Sequence, residues 1–146
     1  MKRLLIVFCL IIAVSACHPR HRRNVNRNVD HNSEHIEKKH TEKKAVRGLI
    51  NKAQKQSASG KHQAACVTLE RAIRVDSSNP LVWRNMAIVK YRMRDYAAAE
   101  SMSLRSLSFV HNRGALYRNN WKLIADARRA MGDKAGAKKA IEKAGN

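Results

Sequence analysis

From residue 45 to the end of the chain, small and bulky apolar residues recur in a fixed order. Three bulky residues, Leu49, Trp83 and Trp121, serve as anchors and lie 34 and 38 residues apart. Small residues follow every anchor at intervals of 4, 16 and 23 residues: Ala53, Ala65, Ala72, Ala87, Ala99, Ser106, Ala125, Ala137 and Ala144. Small residues at crossing points let two helix axes approach closely, and the bulky anchor fills the space beside them. The pattern therefore predicts three similar helical units.

A turn is expected eleven residues after each anchor. Gly60 and Gly132 occupy this position in the first and third units, and Arg94 occupies it in the second. Glycine suits a turn because it reaches positive φ without steric cost. Pro80 suits the first turn of a helix, where no amide hydrogen is needed. Six helices are predicted, at about 35–58, 62–75, 80–93, 96–109, 115–131 and 134–144.

The spacing and the residues resemble the tetratricopeptide repeat (TPR), whose period is about 34 residues. The second unit is similar to this family in LVWRNMAIVKYRMRDYAAAESMSLRSL, and the third in NWKLIADARRAMGDKAGAKKAIEKA. The first unit departs from the family pattern by having Leu49 where the others have Trp. The resemblance implies an all-α fold, a short α-solenoid of about three helix pairs in residues 45–146. The units are expected at about 46–79, 80–113 and 118–146.

The first 16 residues have the pattern of a cleaved signal peptide. Two basic residues precede an uninterrupted apolar run from Leu4 to Val14, and small residues follow. Eleven helical residues span about 16 Å, which is too short for a permanent membrane span. The sequence Val14-Ser15-Ala16-Cys17 resembles a bacterial lipobox, which implies cleavage before Cys17 and lipid attached to it. Because His18 follows instead of Asp, the resemblance implies export to the outer membrane, with the inner membrane as the alternative.

Residues 17–44 separate this signal from the repeats and contain few large apolar side chains. A segment of this composition cannot bury enough apolar surface to offset its ordering entropy. We therefore expect a basic, His- and Asn-rich flexible tether to about residue 33, with 34–44 extending the first helix. His31 and His35 would share a helix face as a metal pair, but no further ligands are evident. We expect a solvated and partly pH-responsive tether, and the sequence leaves open whether its histidines bind a metal.

The chain carries 30 basic and 11 acidic side chains, a formal charge of +19. This excess favours nucleic acid as a partner, but export from the cytoplasm argues against it, so we expect none. No arrangement of residues supports catalysis: Cys66 falls inside a predicted helix as a small apolar residue, and Asp126 and Asp133 are isolated carboxylates. Trp83 and Trp121 occupy packing positions of the repeat. We therefore predict that the protein is not an enzyme and uses no cofactor.

In the TPR family the first helix of each pair lines a concave groove, and its exposed positions can be transferred to this chain. The transfer yields ten candidate groove residues: Arg47, Asn51, Gln54, Arg84, Ile88, Arg92, Asn119, Lys122, Asp126 and Arg129. Five of these are basic, which predicts a basic groove. The competing interpretation is a generally basic surface, because basic side chains outnumber acidic ones throughout residues 45–146.

These expectations describe a lipid-anchored adaptor that faces the periplasm. It would bind an acidic or carboxylate-bearing segment of another envelope protein in its groove, helped by electrostatic steering. The alternative is an assembly factor that resembles the pilotin lipoproteins of pili and secretion secretins. Deletion of a pilotin would leave its secretin monomeric or mislocalised. The sequence leaves open the identity of the partner and the oligomeric state.

Overall fold

The computed structural model describes residues 26–145, and every regular element in this range is an α-helix. The helices are α1 (Asn26–Ala58), α2 (His62–Val75), α3 (Pro80–Arg92), α4 (Tyr96–Leu107), α5 (Ala115–Ala130) and α6 (Lys134–Gly145). From α2 onward, each helix packs against the next along the chain. The predicted signal peptide and Cys17 lie outside the described residues. Within the described range, no helix combines the length and the apolar character needed to cross a bilayer.

Helix α1 begins at Asn26, earlier than the predicted start near residue 35. The predicted start of the first helix is therefore corrected to Asn26, and the role of residues 17–44 as a tether stays a prediction. Polar and charged residues extend a helix readily once a packed segment has nucleated it, because each added residue gains one backbone hydrogen bond. The chain divides into two compact units between Glu37 and Lys38, inside this helix, and the repeats lie in the second. The side chain of His31 is outside the described part, so the expectation for the histidine pair stays a prediction.

The three turns within the units share one backbone conformation. Gly60, Arg94 and Gly132 have positive φ angles of 75°, 63° and 86°. In each turn the amide three residues past the end of the helix donates back to a carbonyl of its last turn, as from Lys61 to the Gln56 carbonyl at 2.9 Å. These are the hydrogen bonds of a Schellman motif, which ends a helix in the left-handed conformation. Arg94 thus adopts, without being glycine, the conformation for which the other two units use glycine.

The small residues of the repeat lie where neighbouring helices cross. All nine are buried: Ala53, Ala65, Ala72, Ala87, Ala99, Ser106, Ala125, Ala137 and Ala144. Two apolar clusters form around them. The larger joins Ile50 of α1, Leu69 of α2 and Met86 of α3, and the smaller joins Ile124 of α5 to α6. Each cluster extends across consecutive helices, as expected for a solenoid in which repeats contact their neighbours.

A buried polar network lies between the two clusters. Asn120 of α5 donates from Nδ2 to Oγ of Ser106 at 2.9 Å, and that hydroxyl donates to the Pro80 carbonyl at 2.7 Å. Ser103, one turn before Ser106, is fully buried, and its hydroxyl has no hydrogen-bond partner among the residues that the structure describes. The four extra residues between the second and third anchors lie here, in the loop 108–114 and the longer α5. The third unit therefore joins the second through hydrogen bonds as well as apolar packing.

The two anchor tryptophans are packing residues with distinct partners. Trp83 donates from Nε1 to the Ser77 carbonyl at 2.8 Å, and the Arg105 guanidinium lies 5.6 Å from its ring centroid. Trp121 packs edge-on against Tyr117, and the Lys143 ammonium lies 4.4 Å from its ring centroid. Trp83 therefore contacts the loop before α3 and helix α4, whereas Trp121 contacts α5 and α6.

Candidate protein-binding groove

A hydrogen bond between two first helices lies at the centre of the candidate groove. Gln54 of α1 donates from Nε2 to Oδ1 of Asn85 on α3 at 2.9 Å. Asn85 in turn donates from Nδ2 to the Leu81 carbonyl at 2.7 Å, which fixes the orientation of its amide. Asn85 is nearly buried, so this contact holds α1 and α3 together at the groove floor. Both residues line all three adjoining cavities of this face.

The three cavities have volumes of about 290, 430 and 460 Å³. The first has an apolar floor of Ala53, Leu69 and Val89 and carries Arg92 at its edge. The second extends along α1 past Arg47 and Asn51. The third reaches from α3 to α5, between Arg84, Ile88, Leu116 and Asn119. Because they share Gln54 and Asn85, the cavities form one concave face across α1, α3 and α5.

Arg84 lies in this face as a half-buried cation. Among the residues that the structure describes, no carboxylate forms an ion pair or a hydrogen bond with it. Desolvation lowers the pKa of the Arg84 guanidinium, because burial penalises the charged form and no anion compensates. A guanidinium stays charged at neutral pH, so the groove presents an uncompensated positive charge to whatever enters it.

Arg92, two turns further along α3, is held in place by a neighbouring turn. Its Nη1 donates to Oγ of Ser57 at 2.8 Å, and the same hydroxyl lies 3.3 Å from Nδ1 of His62. This contact positions the guanidinium at the edge of the apolar cavity. The remaining guanidinium nitrogens have no partner among the described residues, so they are available to an anion.

The structure brings seven of the ten candidate residues to the three cavities: Arg47, Asn51, Gln54, Arg84, Ile88, Arg92 and Asn119. The other three candidates, all on α5, do not line them. Arg129 donates to Asp126 at 2.8 Å and lines a separate cavity beside α6, while Lys122 is exposed. The groove therefore covers the first two units and the beginning of α5, since α5 continues towards the other end of the solenoid.

Among the groove residues missed in the sequence are Asn85 and Ser57, which form hydrogen bonds with Gln54 and Arg92. The repeat could have indicated Asn85 as a groove residue, because Asn85 and the candidate Asn51 both lie two residues after their anchors. Ser57 had no such signal, since Tyr91 and Arg129 stand at its position in the other units. Its contribution depends on a contact with Arg92, which lies 35 residues away in the chain.

The globular C-terminal domain of LpoP from P. aeruginosa is similar to this chain, with 39% sequence identity and a TM-score of 0.68. The match covers 70% of this chain and 96% of that domain. The chain belongs to the LpoP family of TPR-containing bacterial lipoproteins. No protein-family model matches the chain, and no curated protein does either.

More distant structures share the fold. The second TPR of Spaghetti, solved with an HSP90 peptide, is 20% identical, with a TM-score of 0.62 over 68% of this chain and 89% of that one. The translocator chaperone SycD of Yersinia enterocolitica is 16% identical, with a TM-score of 0.64 over 69% and 74%. These matches and the LpoP domain confirm the predicted fold, an all-α solenoid of TPR type.

Cys66 lies outside the groove, on the buried face of α2. Burial raises the pKa of its thiol, with the neighbouring Lys90 acting in the opposite direction, so the sulfur is held protonated. Its Sγ lies 3.9 Å from Sδ of Met93. A reactive cysteine requires a lowered thiol pKa and exposure, and Cys66 has neither. Where side chains are described, no three His, Cys, Asp or Glu residues come together as metal ligands.

Proposed function

We propose that this LpoP-family protein is a lipid-anchored envelope adaptor that binds an acidic segment of another envelope protein in the groove of α1, α3 and α5. The observation that carries the proposal is Arg84, a half-buried cation without a carboxylate partner among the described residues. A buried charge is costly unless an anion pairs with it. A bound carboxylate would supply that anion.

The chemistry of the groove suggests the arrangement of the ligand. Arg84 and Arg92 are eight residues apart on α3, which is about 12 Å along the helix axis. Ile88 lies halfway between them, next to the apolar cavity. An extended chain advances about 3.3 Å per residue, so carboxylates about four residues apart, with an apolar side chain between them, would match this spacing.

The proposal has support from the same fold elsewhere. The Spaghetti TPR structures are complexes with the HSP90 peptide SRMEEVD, in which acidic and apolar residues alternate closely. A TPR-type solenoid can thus hold a segment of this character. In the present chain, Arg84 and Arg92 would supply the positive charges for such a segment.

The family supports a location for the adaptor. A lipoprotein carries its lipid on a cysteine, and the resemblance of Val14–Cys17 to a lipobox supports Cys17 as that residue. We propose attachment to the outer membrane with the solenoid facing the periplasm, and attachment to the inner membrane is the alternative. The basic residues before the repeats would then lie near anionic head groups, where each contributes about 1 kcal/mol.

The test is a double charge reversal in the groove, Arg84→Glu with Arg92→Glu, followed by crosslinked capture of partners from cell envelopes. We expect capture to be lost while the thermal midpoint is maintained. The matched control is Arg71→Glu with Arg74→Glu, which makes the same charge change on exposed positions of α2. Equal losses in both variants would indicate a generally basic surface, and capture that survives the groove reversal would contradict the proposal.

A further inference from the structure

The last described helix leaves uncovered a position that the other units bury. Twenty residues after each anchor stand Leu69 on α2, Ser103 on α4 and Ile141 on α6. Leu69 and Ser103 are 0% exposed, whereas Ile141 is 43% exposed. The first two are buried because the first helix of the next unit packs over them: α3 over α2, and α5 over α4. The equivalent face of α6 therefore has the shape of a helix-binding surface.

The charge of this face differs from that of the two internal joints, which are the contacts of α2 with α3 and of α4 with α5. Seventeen residues after each anchor stand Cys66, Glu100 and Lys138. At the joint between units two and three, Arg128 of α5 donates from Nε and Nη2 to Oε1 of Glu100 at 2.9 and 2.5 Å. At the joint before it, burial raises the pKa of the Cys66 thiol and the positive charge of Lys90 on α3 opposes that rise, while the Lys90 ammonium pairs with Asp95 at 3.4 Å. Both incoming helices thus carry a cation near this position.

On α6 this position is itself a cation, because it is Lys138. A helix that docked with Lys or Arg opposite it would bring two like charges together, which destabilises a contact. A helix with a carboxylate there would reproduce the Glu100–Arg128 pair with the charges exchanged. The surrounding cavity, of about 430 Å³, is lined by Arg129, Lys134, Ala137, Lys138 and Ile141. Its side chains are apolar or basic, which also favours an acidic occupant.

We propose that this face of α6 binds an acidic amphipathic helix of another protein, docked as the first helix of a fourth unit would be. The internal joints define the required residues. Both incoming helices bury an apolar residue, Met86 or Ile124, and a second one three positions later, Val89 or Ala127. The cation follows directly, at Lys90 or Arg128. The partner helix therefore needs an apolar residue, a smaller apolar residue three positions on, and Asp or Glu at the fourth.

No first helix of a second copy meets that requirement, and Tyr96, Ala99 and Glu100 of α4, which have the required spacing, are engaged inside the solenoid, where Glu100 pairs with Arg128. The first helices of such a copy carry Gln56, Lys90 and Arg128 at the position of the required carboxylate, and none is acidic. Two copies would also bring the basic faces of their end helices close together. The occupant is therefore a different protein, and its binding is independent of the groove, because Arg84 and Arg92 lie on α3.

The probe is a stapled helical peptide with the sequence of Ala115–Ala130 in which Arg128 is replaced by Glu. The matched control peptide keeps Arg128. Binding to the full chain is measured by fluorescence anisotropy at low salt. We expect the Glu peptide to bind about tenfold more tightly than the Arg peptide. Coupling energies that double-mutant cycles measure between close charges are large enough to produce such a difference in affinity.

Variants of the protein test the same charge pair from the side of α6. Lys138→Glu should reverse the preference between the two peptides, and Ile141→Asp should abolish binding of both. Each substitution is at an exposed position, so an unchanged thermal midpoint verifies folding. The double reversal of Arg84 and Arg92 should leave peptide binding unchanged, which separates this surface from the groove.

Three results would overturn the inference. The first is equal affinity for the two peptides, and the second is a preference that Lys138→Glu does not reverse. The third is self-association of the wild-type chain in sedimentation experiments, if Ile141→Asp abolishes that self-association. The occupant of the face would then be a second copy.

Discussion

Arg128 of α5 and Glu100 of α4 form an ion pair that joins the second and third repeat units. Both side chains are at least three-quarters buried. The hydrogen bonds that Arg128 donates to the Glu100 carboxylate raise the pKa of its guanidinium, and Arg128 also donates to the Gly136 carbonyl at 3.2 Å. Arg128 of α5 therefore connects to both α4 and α6 at the contact where polar residues interrupt the apolar core.

Glu100→Gln should lower the free energy of unfolding by about 1–3 kcal/mol, because it leaves a largely buried guanidinium without its anion. Urea denaturation measures the change. The control is Asp126→Asn, which removes the exposed partner of Arg129 and should change stability by less than about 0.5 kcal/mol. Equal effects of the two substitutions would show that the joint does not depend on this pair.

Arg94→Gly should stabilise the protein by about 0.5–1 kcal/mol, because glycine adopts the left-handed conformation without the clash of a Cβ atom. Gly60→Ala should have the opposite sign at the equivalent turn. The control is Gly48→Ala, inside α1 with open space around it, which should stabilise the helix by about 0.5–1 kcal/mol. Thermal and urea unfolding of the three variants test the signs, and destabilisation by Arg94→Gly would contradict the assignment of this turn.

Two serines one turn apart on α4 should respond differently to the same substitution. Ser106→Ala removes a hydroxyl that both donates and accepts, and should destabilise by about 1–3 kcal/mol because the Asn120 amide and the Pro80 carbonyl lose their partner. Ser103→Ala removes a buried hydroxyl without a partner and should be neutral or stabilising by up to about 1 kcal/mol. The pair is measured by urea denaturation, and equal losses would contradict the polar network.

Cys66 should make stability fall in alkali. Burial raises the pKa of its thiol above the ordinary value of 9.0, so in alkali the unfolded chain loses this proton before the folded chain does. The free energy of unfolding is therefore highest below the ordinary pKa, and it decreases as the pH rises through 9 towards the raised value. The Cys66→Ala variant should lack this part of the decline. Parallel pH profiles of wild type and variant would contradict the burial argument.

Cys17 should carry lipid. Labelled palmitate should enter the wild-type protein in cells, and Cys17→Ala should abolish that labelling, since the thiol is the attachment point that the lipobox implies. A matched control is Cys66→Ala, which should retain the label because Cys66 is buried in the core. Absence of label in the wild type would remove the basis for the proposed location at the membrane.

The sequence alone determined the six helices, the three turns and the positions where helices cross. These features depend on local rules: the helical period, the preference of glycine for positive φ, and the small residues that close packing requires. The solenoid followed from repetition, since each unit contacts mainly its neighbours. The start of α1 was the exception, because a polar segment extends a helix only once a packed part has nucleated it.

Only the tertiary structure decided which side chains meet between units. The Gln54–Asn85 hydrogen bond, the contact of Arg92 with Ser57 and the Glu100–Arg128 pair join residues 28 to 35 positions apart. Such partners depend on the crossing of two helices and on side-chain direction, which the period of the sequence does not specify. For the same reason the structure placed Arg129 beside α6 instead of in the groove, and showed that Ile141 is exposed where its equivalents are buried.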